Sequence, residues 1–214
     1  MIPKTIQDKL NEGRQYRNFA TIERREAGDE KIVEGYATTF SQPYELYSYG
    51  DYSVWEQVDP RAFDETDMED VIFQYNHEGR VFARKSNGTL ALQADEKGLY
   101  TRANLGGTEI GRQLYEEISG GYTTKMSFGF RVGKDKVEET TDHETGKTRI
   151  LRTILSFTKL YDVSAVSIPA NDATSISARS YGEGVIAEAL REMEARKARK
   201  RQMQRIRILM EVHK

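Results

Sequence analysis

The chain has 214 residues, 31% of them charged and 37% apolar, which suits one full-sized domain with a tail. It holds 12 Tyr, 8 Phe and 1 Trp but no cysteine, which excludes a disulfide scaffold, a thiolate zinc site, an iron–sulfur cluster and a cysteine nucleophile. The formal net charge of −2 divides unevenly: Glu183 to Lys214 carries nine Lys and Arg against five Asp and Glu, and the remainder 23 against 29.

In chain order, the first 20 residues contain no uninterrupted apolar stretch, and nowhere do 18 apolar residues run together. Neither a secretory signal nor a membrane span is expected, and the chain reads as soluble, inside a cell or particle. From Phe19 to Ser180 short alternating runs are separated by Gly, Asp and Asn turns. That pattern predicts a mainly β fold, an antiparallel barrel or sandwich, and disfavours a parallel α/β architecture. Strands are expected over 18–23, 31–40, 54–58, 71–75, 89–94, 99–104, 125–132, 149–157 and 160–168. Tight hairpin connections are expected at Ala27-Gly-Asp-Glu30, Ser86-Asn-Gly88 and Asp95-Glu-Lys-Gly98. Asp59 ahead of Pro60 predicts a short helix through Phe63. A longer helix is predicted over 108–119, with Ile110, Leu114 and Ile118 on one face and Gly120-Gly121 to end it. After the glycines Gly182 and Gly184 the charge changes sign. The expected division is an N-terminal polar arm (1–18), a β domain (19–181) and a basic amphipathic helical tail (182–214), whose stripe of Ile186, Leu190 and Met193 needs a surface to dock on.

Only three histidines are present: His77, His143 and His213. His213 sits in the charged tail and His143 at the polar tip Thr140-Thr-Asp-His-Glu-Thr-Gly146, so both read as solvated. His77 follows the apolar run Val71 to Tyr75, where a core strand delivers its imidazole to the strand's exit. That placement suits a catalytic base, and equally a histidine that simply caps a strand. It has no companions at metal-ligand spacing. In Lys125-Met-Ser-Phe-Gly-Phe-Arg-Val132 the residues Met126, Phe128, Phe130 and Val132 alternate with Lys125, Ser127, Gly129 and Arg131. Ser127 is therefore expected on the outward face, with an open approach beside Gly129, as a nucleophile or an ordinary strand serine. Asp162 lies among apolar and small neighbours in Leu160-Tyr-Asp-Val-Ser-Ala-Val-Ser-Ile-Pro-Ala-Asn171 and needs a partner there. A histidine donating its second ring nitrogen would serve, and so would backbone amides at a sheet edge.

Together, Tyr75-Asn-His77, Met126-Ser-Phe-Gly-Phe130 and Leu160 to Asn171, preceded by Glu34-Gly-Tyr-Ala37 and Glu56-Gln-Val-Asp-Pro-Arg-Ala-Phe63, resemble the prohead maturation proteases of tailed phages over roughly Phe19 to Arg179. That family looks like a relative of the herpesvirus assemblins. The resemblance implies an antiparallel β-barrel with surrounding helices and a serine endopeptidase that needs no cofactor or metal. It makes Ser127 the nucleophile, His77 its base and Asp162 the third member. It further implies capsid-protein and scaffold segments as substrates, self-processing, association with the portal or prohead shell, and action in the host cytoplasm inside the assembling prohead. A homodimer is compatible with it. An oxyanion hole is expected from backbone amides around Ala170 to Asp172, after Pro169 ends its strand. The alternatives are a catalytically silent scaffold or core protein on the same fold, and a nucleic-acid-binding module based on Arg196 to Arg201. The second is disfavoured because the body is acidic and the basic block is mixed with glutamates. No membrane partner is expected.

Overall fold

The computed structural model of the chain describes residues 8, 10, 12–27, 30–167, 186–187, 191, 195, 198–199 and 202–203. Eleven strands and one full helix are described, in the order β1 (Gln15–Thr21), β2 (Glu23–Ala27), β3 (Glu30–Thr39), β4 (Tyr44–Tyr49), β5 (Tyr52–Val58), β6 (Ile72–Tyr75), β7 (Glu78–Arg84), β8 (Leu90–Ala94), β9 (Gly98–Asn104), α1 (Glu109–Ser119), β10 (Lys125–Thr141) and β11 (Thr148–Val166). The fold is mainly β, as the alternation of the sequence predicts.

The closed antiparallel barrel is not what forms. Two sheets are present: β2-β3-β9-β8, and a seven-stranded sheet β1-β10-β11-β5-β4 in which β6 also pairs with β11, and β7 with β6. The cause lies in β11, expected as two strands but continuous over 19 residues. One edge of it pairs antiparallel with β10 along its length. The other edge is shared, with Thr148–Ile154 parallel to β5 and Asp162–Ala165 parallel to β6. Between those partners the 59–67 segment closes the edge, through Phe157 N to Ala62 O at 3.0 Å and Leu160 N to Asp67 O at 3.0 Å. The short helix expected at Asp59-Pro60 is therefore a series of turns. Asp59 Oδ1 accepts from Arg61 N at 2.9 Å as a helix cap would, but Ala62 N bonds three residues back, to Asp59 O, and the chain is held flat to β11 instead of coiling.

The remaining expectations meet the structure element by element. Helix α1 starts at the Thr108 cap, whose side chain accepts from Gly111 N, and buries Leu114 and Ile118. Of the three hairpin connections, Asp95 to Gly98 joins β8 and β9 in antiparallel register, and β2 and β3 pair across 27–30. Ser86-Asn-Gly88 instead forms a single 3₁₀ turn between β7 and β8, which belong to different sheets. Strand β1 starts at Gln15 and buries Tyr16 and Arg17, so it reaches into the segment expected as a polar arm. In the tail the described positions from Ile186 to Met203 are helical, and Ile186 packs with Val54 and Ile150. Leu190 and Met193 lie outside the described residues. Among the described residues no helix is long and apolar enough to cross a membrane.

The main core lies between the two sheets and α1, and takes Met126, Phe128 and Phe130 from β10 and Val163 and Ala165 from β11. Alternation then sends Ser127, Gly129, Asp162 and Ser164 to the other face. On the Phe128 and Phe130 side of the sheet a buried ion network forms around Glu56, which accepts from Arg17 Nε at 2.7 Å, Arg17 Nη2 at 3.1 Å and Arg152 Nη1 at 2.8 Å, and from the Tyr44 hydroxyl. Burial pushes the Glu56 carboxyl upward, but Arg17 and Arg152 outweigh it and hold it below its usual 4.5. A depressed folded value means that its stabilisation is complete above the unfolded value and is lost as the pH falls through the folded one. Glu56→Gln should therefore lower stability at neutral pH by about 3–5 kcal/mol, with a smaller further loss in acid than the unsubstituted chain shows. Urea unfolding at a series of pH values measures both.

Candidate active site

Three neighbouring strands deliver three side chains to one point. β10 and β11 set Ser127 opposite Ser164, and Gly129 opposite Asp162, while the parallel pairing of β6 with β11 places Tyr75 beside Ala165. The two residues that join β6 to β7, Asn76 and His77, have φ of 50° and 62°, and Tyr75 pairs directly with Glu78. Two consecutive positive φ values in a two-residue loop are the requirement of a type I′ hairpin turn. Asn is suited to the first position, but His at the second is strained, of the order of 1 kcal/mol. Contacts to the end of β11 hold the turn: Asn76 N donates to Ala165 O at 2.9 Å, Ser167 N to Asn76 Oδ1 at 3.2 Å and Asn76 Nδ2 to Ser167 Oγ at 3.3 Å. Bending the chain left-handed swings the His77 ring back over β11 and β10.

There, His77 Nδ1 lies 2.5 Å from Asp162 Oδ1 and Nε2 lies 2.7 Å from Ser127 Oγ. Ser164 Oγ donates to the same Asp162 oxygen at 3.0 Å. The structure thus brings together Ser127, His77 and Asp162, which are 50 and 85 positions from one another in the chain. Burial alone would push the Asp162 carboxyl up. His77, then Arg14 and the Ser164 hydroxyl, outweigh that and hold it below its usual range. The second oxygen, Oδ2, has no hydrogen-bond partner among the described residues and faces Arg14 Nη1 at 3.8 Å. His143 is exposed at the β10–β11 tip, and His213 and Ala170 to Asp172 lie outside the described residues.

Two sequence expectations about Ser127 are corrected. It is not on an open outward face but fully buried, as are His77 and Asp162. That face of β10 is closed by the rings of His77 and Tyr16, and at its edge β1 pairs alongside, the Arg17 carbonyl accepting from Ser127 Oγ at 2.8 Å. Nor does Gly129 leave an approach for substrate. A Cβ there would stand 2.4 Å from Asp162 Oδ2 and 2.9 Å from Tyr16 Cε1, so the glycine makes room for the carboxylate that faces His77. Gly129→Ala should displace Asp162 and, at about a hundredfold per ångström of misplacement, slow turnover with little change in KM; steady-state kinetics would show it. Sequence reasoning also missed Tyr16, whose ring centroid lies 4.4 Å from that of His77. Its only signal was an aromatic in a segment taken for a polar arm.

A hydroxyl, an imidazole and a buried carboxylate in this order define the serine hydrolase class of site, in whatever chain order the residues occur. The model of the caudovirus prohead serine protease family matches residues 19–195, and the chain belongs to that family. It is accordingly a serine protease of phage proheads, a hydrolase acting on peptide bonds. No curated protein and no solved structure gives a significant match.

Proposed function

We propose that Ser127 is the nucleophile, His77 the general base and acid, and Asp162 the group that orients His77. The observation that carries the assignment is the continuous relay from Ser127 Oγ through both ring nitrogens to Asp162. Asp162 holds the proton on Nδ1, which leaves Nε2 to take the hydroxyl proton as Oγ bonds to the scissile carbonyl carbon. When the carbon–nitrogen bond breaks, Nε2 returns that proton to the departing amine. Water then repeats the sequence on the acyl-enzyme and frees the acid.

The substrates in this reading are scaffold and capsid-protein segments of the immature particle, and the chain itself beyond the β domain. Cleavage takes place in the host cytoplasm inside the assembling prohead, where the portal or shell holds the enzyme. The test is to mix the purified chain with its cognate capsid and scaffold proteins and map new N-termini by mass spectrometry, beside a chain carrying Ser127→Ala. New termini that appear equally with both chains would reject the assignment.

A further inference from the structure

Ser127, His77 and Asp162 are all 0% exposed, so a peptide can reach them only after something moves. The element against the Ser127 hydroxyl is β1, which pairs antiparallel along the edge of β10 with Asn18 opposite Ser127 and Arg17 opposite Phe128, and whose Tyr16 ring packs on His77. An extended peptide adds to a sheet edge in this way, with main-chain pairing for affinity and side-chain pockets for selectivity. The carbonyl beside the Ser127 hydroxyl is that of Arg17, at 2.8 Å, where the carbonyl ahead of a scissile bond has to come. The hydroxyl carries a single proton, and this oxygen competes for it with His77 Nε2 at 2.7 Å. The Arg17 side chain meanwhile enters a buried site and binds both oxygens of Glu56, at 2.7 and 3.1 Å. Arg152 holds the same carboxylate at 2.8 Å, so Glu56 keeps a cation when Arg17 withdraws. A guanidinium arriving on another peptide would restore the two-pronged contact.

Resting on the reading of Ser127 as nucleophile, we propose that the edge of β10 facing β1 is the substrate-strand site, which Gln15 to Asn18 fills as an intramolecular stand-in. An extended peptide with arginine immediately before its scissile bond displaces this segment, and its arginine takes the place of Arg17 on Glu56.

The full-length chain can be treated with two peptidyl diphenyl phosphonates identical except for arginine or citrulline next to phosphorus. Citrulline keeps the shape of arginine and lacks its charge. The arginine reagent should modify Ser127 at least about tenfold faster, the scale of one charge-assisted hydrogen bond. In the resulting adduct the backbone amides of 15–18 should exchange hydrogen at least about tenfold faster than in the free chain, because β1 has left the sheet. Equal rates with the two reagents would overturn the arginine site. Unchanged protection of 15–18 in a confirmed Ser127 adduct would overturn the displacement. Failure of both reagents to modify Ser127, or equal modification of a chain carrying Ser127→Ala, would instead overturn the nucleophile assignment on which the proposal rests.

Discussion

Ser127→Ala should lower kcat for peptide cleavage by about a millionfold, and adding His77→Ala to it should lower it little further. The two groups act as one unit: without the hydroxyl there is no proton for Nε2 to take, and without Nε2 the hydroxyl is a weak nucleophile. The substitution also affects stability. The Ser127 hydroxyl is buried and touches both Nε2 and the Arg17 carbonyl, so its removal leaves polar groups short of a partner, at a cost of about 1–3 kcal/mol. A folded but silent variant is the expected result, with a lower urea midpoint. Cleavage within tenfold of the unsubstituted chain would reject the assignment.

Asp162→Asn should reduce kcat by about ten-thousandfold, less than loss of Ser127 or His77 because nucleophile and base remain. The geometry supplies the reason. Oδ1 accepts from Ser164 and faces Nδ1, so an Asn side chain that keeps its oxygen there offers the Nδ1 proton only a neutral acceptor, without the charge that stabilises the imidazolium. If its amide nitrogen turns to His77, Nδ1 becomes the acceptor and the ring proton moves to Nε2, where it blocks transfer from Ser127. Stopped assays against the same peptide measure the ratio. Nearly full activity would place the third role elsewhere.

Much of the chemistry could be read from local sequence because it depends on residue type at fixed offsets. Alternation in Lys125 to Val132 put Met126, Phe128 and Phe130 in the core, and α1 was legible from its Thr108 cap and glycine stop. The buried position of Asp162 among small and apolar residues already called for a partner. Conversely, β4 and β7 escaped notice. β4 is too exposed for a clean alternation, and β7 begins immediately after His77 without the Gly or Asn pair that announces most tight hairpins.

What the sequence by itself determined is the mainly β class, the helix α1, and the three residue types, in motif contexts, that meet at the site. Tertiary structure alone decided that β11 is one strand with two parallel partners and not a wall of a closed barrel, because parallel neighbours are chosen by crossovers that no local pattern encodes. It also decided that Gly129 makes room for Asp162, and that β1 pairs alongside Ser127 with Tyr16 packed on His77. Each of these depends on which surface comes to rest against a given face of a strand. Alternation specifies that a face differs from its opposite, but a face carrying Ser, Gly and Asp can meet water or packed side chains such as those of His77 and Tyr16, and only the packed chain distinguishes the two.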